Sequence, residues 1–267
     1  MTKGKKGARL GQHFLTARWA AVSLARSVAA TSSETILEIG PGKGALTREL
    51  LATGSRVVAL EKDEILVERL KETFATDIAE GRFELISADI RDFVPSREIL
   101  GDSYVLAANI PYYITGEIIR QFLTSAHQPR AMAILIQKEV AQRITASKAS
   151  ILSLAVKAYG LPRIVQKVSR TCFSPAPSVD SAILLVSTIS RDFFMDLDEN
   201  FFFDVVHAGF ASKRKFLANN LGVKFGKDIS LGALAASAVG EKARAEEVSL
   251  ASWKLIAQHL QHSKPSN

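Results

Sequence analysis

The chain has 267 residues, 47% of them hydrophobic, and carries 34 Lys and Arg against 27 Asp and Glu, a formal net charge of +7. That length buries a sizeable core and divides naturally into one large domain and one small one, and the positive balance makes an anionic partner such as nucleic acid a serious candidate. One cysteine, Cys172, excludes an intramolecular disulfide and a cysteine-based zinc site, and the five histidines are scattered, so no metal is expected.

The opening residues 1–9 carry Lys3, Lys5, Lys6 and Arg9 with no apolar run of signal-peptide length. They read either as a solvated tail or as contacts to RNA phosphates. No later run reaches the length of a membrane span, so a soluble, cytosolic chain is expected. The pentad Gly11-Gln12-His13-Phe14-Leu15 precedes a helical pattern over 17–30. Residues 34–40 read as a buried strand running into Gly40-Pro41-Gly42-Lys43-Gly44 and a helix over 45–51. Strand, glycine-rich turn and helix are the first unit of a nucleotide-binding α/β fold, in which glycines let the backbone approach a ligand closely. A P-loop is excluded in form, because Gly44 follows Lys43 where Ser or Thr is required.

A second strand over 56–60 ends at Glu61, about 20 residues beyond the first glycine, where an acidic residue grips ribose hydroxyls. The glycines alone suit a nicotinamide enzyme equally well. Glu38, placed to orient the loop and a ligand's amino group, and a third strand over 83–87 that ends at Asp89 point elsewhere. Acidic residues after successive strands repel a pyrophosphate and suit a cationic, adenosine-containing cofactor, S-adenosylmethionine.

The next strand, 104–109, ends in Asn109-Ile110-Pro111-Tyr112. Such residues occur together in ordinary turns. They also make a slot for a planar base with an amino group, in which the Asn109 side-chain oxygen and the Pro111 carbonyl accept the amino hydrogens and Tyr112 stacks on the ring. The N6 lone pair of adenine is delocalised into its ring, so holding its hydrogens out of plane is what a methylating enzyme must do.

Helices are expected over 115–123, with Thr115 as N-cap, and over 138–144, with a strand over 131–136 between them. Residues 150–159, apolar on one face, should pack on the sheet. Strands over 164–168 and 182–187 are joined by a stiff proline-rich segment that presents Phe173 opposite Tyr112 as a second stacking face. Beyond Ser190 the pattern is helical only: 200–210 with Phe201, Phe202 and Phe203 as core, a helix opened by Lys213-Arg214-Lys215, then 231–238 and 250–260. The basic triplet reads either as a solvated helix face or as a phosphate contact.

With these motifs in order, the chain resembles the small-subunit (16S) ribosomal RNA adenine N6,N6-dimethyltransferase family over nearly its whole length. The resemblance rests on Gly11 to Leu15, Glu38-Ile39-Gly40-Pro41-Gly42, Asn109 to Tyr112, the stretch from Phe173 to Ser181, and Phe210 to Leu221 with its basic triplet. It implies a Rossmann-like class I methyltransferase sheet with a final antiparallel strand over 1–189, and a small all-helical domain that docks on RNA or the ribosome over 190–267. It also implies dimethylation of two adjacent adenosines in the 3′-terminal hairpin loop of small-subunit rRNA during ribosome assembly, by a monomer without membrane contact. Cofactor contacts carried over by resemblance are His13, Leu15, Gly40, Glu61 on the ribose, Asp89 on the adenine amino group, and Asn109. Many relatives have Asn where this chain has His13. The catalytic motifs also resemble the large-subunit, antibiotic-resistance type of rRNA dimethyltransferase, whose opening pentad and C-terminal domain match less well. A ribosome-assembly factor without catalysis is the alternative from another class.

Overall fold

The computed structural model describes residues 12–263, so the basic opening and Gly11 lie outside the described residues. The chain forms two compact units. The first comprises the residues up to Gln142 together with Leu161–Ile189, and the second comprises Arg143–Gly160 together with everything from Ser190 onward.

The first unit begins with β1 (Phe14–Leu15) and α1 (Arg18–Ser27), then β2 (Thr35–Ile39), α2 (Ala45–Leu51), β3 (Arg56–Glu61), α3 (Glu64–Thr73), α4 (Ala75–Ala79) and β4 (Phe83–Ser87). It continues through α5 (Arg97–Leu100), β5 (Tyr104–Asn109), α6 (Thr115–Leu123), β6 (Ala131–Gln137) and α7 (Lys138–Thr145), at whose end the chain passes into the second unit. There α8 (Ile151–Tyr159) forms, and the chain returns for β7 (Leu161–Val168), β8 (Phe173–Ser174) and β9 (Ser181–Ser187). The rest of the second unit is helical: α9 (Glu199–Gly209), α10 (Leu217–Phe225), α11 (Lys227–Ala236) and α12 (Leu250–His262). None of these helices is long and apolar enough to cross a membrane.

The seven-stranded sheet runs β4-β3-β2-β5-β6-β9-β7, parallel from β4 to β6, with β9 antiparallel to both its neighbours. Its central strands read as continuous apolar runs because both faces are covered. Ile36, Val57, Val105 and Ala133 pack in one cluster with Ala20, Leu24, Leu46 and Leu50 of α1 and α2. The alternate residues Leu37, Val58, Leu106 and Ile134 point to the opposite face and are equally buried. In this register Ile39 lies between Leu60 and Ala108. The carboxyl ends of β2, β3 and β5 therefore come level, and the chain order reverses between β2 and β5, where open α/β sheets place their ligands.

Three local expectations are corrected. Residues 150–159 belong to the second unit and not to the sheet's: Leu154 and Ala158 lie in its core with Phe202, Leu221, Trp253 and Leu260, so that unit includes a segment upstream of residue 190. Thr115 is the first helical residue of α6 instead of its cap, because a 3-10 turn over Tyr112–Ile114 runs straight into the helix and leaves no extended residue in which a side chain could cap. Lys213, Arg214 and Lys215 do not open a helix. They form an exposed turn between α9 and α10, drawn tight by Asn220, whose Nδ2 donates to the Gly209 and Ser212 carbonyls at 2.7 and 3.0 Å.

Candidate active site

The glycine turn is shaped by its backbone. Gly42 has φ of +60° and a Cβ there would lie 3.1 Å from the Phe14 ring, while Gly44 has φ of +80° and a Cβ would meet Phe74 at 2.6 Å. L-residues are disfavoured at both positions for conformation and for space. Behind the turn, Glu61 is buried at the end of β3, with Oε2 accepting from the Gly42 amide at 3.1 Å and Oε1 from the Lys62 and Asp63 amides at 2.9 and 3.0 Å. A carboxylate offers about four lone-pair sites, so a ligand hydroxyl can still bind it.

Glu38 lies deeper, 1% exposed, with Oε2 accepting from the Thr47 hydroxyl of α2 at 2.7 Å and Oε1 without a partner among the described residues. Burial is the main cause that pushes its carboxyl up to about 8, with the Glu61 charge adding to it. Burial thus favours the neutral acid, whose hydrogen bond runs to α2.

Asp89 caps the short turn after β4 and is held by two cations. Arg91 reaches its oxygens at 3.1 and 2.6 Å and Lys62 at 2.7 Å. These bonds, Arg91 first, hold the Asp89 carboxyl well below the usual carboxylate range. Neither Lys62 nor Arg91 was an expectation from sequence. Arg91 was within reach of one, since Asp89 Oδ1 accepts the Arg91 amide at 3.1 Å in a local turn of the kind Asp favours. Lys43, likewise not anticipated, sits 4.7 Å over the Phe14 ring.

At the end of β5 the Asn109 amide is fixed by donating Nδ2 to the His13 carbonyl at 3.2 Å, which turns Oδ1 away from that bond. Pro111 gives one lone pair of its carbonyl to the Ile114 amide at 3.3 Å and keeps the other. The Tyr112 hydroxyl shares a hydrogen bond of 2.6 Å with the Ser181 hydroxyl at the start of β9, and burial raises its pKa above the ordinary tyrosine value. Its ring stacks on His13, centroids 6.0 Å apart and planes at 28°, and His13 Nδ1 donates to the Pro175 carbonyl at 2.8 Å.

One cleft of about 290 Å³ gathers His13, Leu15, Gly40, Glu61, Asp89, Asn109, Pro111 and Tyr112 along its walls, a volume near the lower end for small-molecule sites. Two expectations are not brought there. Phe173 is buried at 5% exposure because β8 pairs with β1, setting Phe173 against Leu15 and turning its ring into the hydrophobic cluster. It is not among the residues that line the cleft. Lys213, Arg214 and Lys215 belong to the second unit.

A model of the ribosomal RNA adenine dimethylase family matches residues 3–262. The chain is 38% identical over 260 residues to a ribosomal RNA small subunit methyltransferase A of Dehalococcoides mccartyi, covering 95% of this chain and 87% of that protein. It is 35% identical to the protein of the same name from Moorella thermoacetica, covering 94% and 91%. Among solved structures, a 23S rRNA methyltransferase, ErmE, superposes with a TM-score of 0.75 at 25% identity, covering 93% of this chain and 99% of that one. A dimethyladenosine transferase from Plasmodium falciparum superposes with a TM-score of 0.79 at 23% identity, covering 91% and 96%. The sheet is that of a class I methyltransferase.

Proposed function

Since the chain belongs to the ribosomal RNA adenine dimethylase family, we propose that it transfers methyl groups from S-adenosylmethionine to N6 of two adjacent adenosines in the 3′-terminal hairpin loop of small-subunit (16S) rRNA, within an assembling subunit. The observation that carries this reading is the Asn109 amide: with Nδ2 spent on the His13 carbonyl, Oδ1 is the acceptor left for a substrate, beside the second lone pair of the Pro111 carbonyl.

The donor set of the cleft fits the cofactor. Glu61 supplies a buried carboxylate for ribose hydroxyls, and Asp89 supplies an acceptor for the adenine amino group once Lys62 or Arg91 gives way. The cofactor supplies a methyl group made electrophilic by its sulfonium. The chain's own residues do the rest. The target adenosine is turned out of its loop, Tyr112 stacks on it, and Asn109 Oδ1 and the Pro111 carbonyl accept the two N6 hydrogens. Held so, the nitrogen lone pair leaves conjugation with the ring and becomes nucleophilic, and the proton freed by each transfer goes to water. No strong base is required, because these acceptors act by orientation. After the first transfer N6 has one hydrogen, so one of the two acceptors loses its partner and the pocket admits a methyl in its place. The second unit, with Lys213, Arg214 and Lys215 in an exposed turn, supplies phosphate contacts to the particle.

The test offers the purified protein and labelled cofactor to unmethylated small subunits and, separately, to large subunits, and maps the labelled nucleosides. N6,N6-dimethyladenosine at an adjacent pair in small-subunit RNA is expected. Label confined to large-subunit RNA overturns the substrate, and bound cofactor without transfer leaves an assembly factor. Asn109→Ala is expected to lower kcat by about 10²–10³-fold, the range seen when one transition-state hydrogen bond is removed.

A further inference from the structure

A carboxylate offers about four lone-pair sites, and at Asp89 all of them are filled. Oδ1 accepts from the Arg91 amide and from Arg91 Nε, both at 3.1 Å, and Oδ2 accepts from Arg91 Nη2 at 2.6 Å and Lys62 Nζ at 2.7 Å. Glu61, holding three amides, keeps one site open. A ligand amino group can therefore reach Asp89 only by displacing a cation. We propose that Lys62 is that cation: it closes Asp89 in the free protein, releases it to the adenine amino group of the cofactor, and takes it back when the spent cofactor leaves. The inference rests on the S-adenosylmethionine reading of the cleft and names the residue that sets cofactor affinity there.

The two cations are held differently. Arg91 lies within the 3-10 turn that Asp89 itself caps, and its planar guanidinium meets both carboxylate oxygens. Withdrawing it breaks both bonds of a fork that the turn pre-organises. Lys62 lines the cleft from the end of β3, makes one bond to Asp89, and has a side chain 62% exposed. Withdrawing it breaks that bond alone and returns a strongly hydrated ammonium to water on a flexible four-carbon stem.

The backbone of Lys62 does not follow the side chain, because its amide donates to Glu61 Oε1 at 2.9 Å. One residue is thus anchored at the carboxylate read as the ribose contact and swings at the carboxylate read as the adenine contact. An exposed ion pair is worth little, which suits a contact that opens and closes at every turnover. Two methyls on each of two adenosines require spent cofactor to leave repeatedly, and a cation that recaptures Asp89 favours its departure.

The sign of one substitution separates this role from a supporting one. Lys62→Met keeps the stem and removes the ammonium, whereas Lys62→Arg keeps a cation. Calorimetry gives Kd of the unaltered protein and both variants for S-adenosylhomocysteine and for its 6-deamino analogue, in which hydrogen replaces the adenine amino group. S-adenosylhomocysteine has no net charge, so a change of overall charge in the cleft acts on it weakly. Lys62→Met is expected to lower its Kd by about 1.5–5-fold, the range of an exposed ion pair, and to leave Kd for the deamino analogue unchanged. Lys62→Arg is expected to change neither. Raising salt from about 0.05 to about 0.5 M screens the pair and is expected to shrink the advantage of Lys62→Met.

A Kd for S-adenosylhomocysteine that Lys62→Met leaves unchanged or raises overturns the inference, because Lys62 then does nothing to Asp89 or holds it in place for the cofactor. Equal tightening toward both ligands, tightening by Lys62→Arg, or an advantage that salt leaves intact overturns it as well. If the unaltered protein binds neither ligand, the cofactor reading falls and the inference falls with it. Binding by the unaltered protein with the wrong sign in Lys62→Met removes the inference alone.

Discussion

Glu38 shows how a single buried carboxyl links the site to the stability of the fold. Its pKa rises from 4.5 to about 8 on folding, chiefly through burial. Between those values the native protein binds the proton that the unfolded chain has released, so stability falls as pH rises from about 4.5 to about 8. Glu38→Gln keeps an oxygen to accept from Thr47 and cannot titrate. Its stability relative to the unaltered protein is expected to improve by roughly 2–5 kcal/mol between pH 5 and pH 9, read from urea unfolding at each pH. A constant difference across that range means Glu38 titrates normally. At this scale Glu61, Asp89 and Asn109 were legible because strand ends carry them, and a strand end is set by a local run of apolar residues. Phe173 was not, because the pairing that buries it joins Leu15 to a residue far along the chain, and no local pattern encodes that register. The stack of His13 on Tyr112 is equally non-local and left no trace in spacing.

At the scale of elements, the turn between β2 and α2 holds a backbone that side chains would not tolerate. Gly44→Ala combines a φ of +80° with a Cβ 2.6 Å from Phe74, a ring packed between α3 and β4. It is expected to cost roughly 2–3 kcal/mol and to weaken cofactor binding as the loop shifts. Thermal unfolding and calorimetry read the two effects, and a stability within experimental error of the unaltered protein would show that the loop tolerates an L-residue. The parallel strands were read within a residue or two, since two-sided burial makes them unbroken apolar runs. Helix α3 carries purely local signals: Asp63 caps it by accepting from the Ile65 and Leu66 amides, and Leu66, Val67 and Leu70 make its buried stripe. Helix α8 is legible only in part. Its apolar face was plain in the sequence, but an apolar face does not name its partner, and here the partners are helices that follow residue 190.

At the scale of the whole molecule the charge of +7 acts through its distribution. Lys213, Arg214 and Lys215 sit in a turn stapled by Asn220 instead of along a helix, which presents three cations over a short span. Replacing all three by Ala is expected to weaken binding to small subunits and to flatten the dependence of log K on log salt by about 2–3, one phosphate per cation, with cofactor affinity untouched. An unchanged slope means that the turn meets no phosphate. The passage of residues 143–160 into the second unit and back has a consequence for how the molecule is made. During synthesis α8 leaves the ribosome about 100 residues ahead of α12, which carries Trp253 and Leu260 of the same core. At about 5–20 residues per second that is a wait of roughly 5–20 s. Until α9 follows, the apolar side of α8 has no cover from its own unit, and until α12 it has only part of it, while the strands on either side of it in the chain complete the sheet. The nascent protein therefore passes through a stage with a finished sheet and an unsheltered helix, the stage at which a chaperone has something to hold.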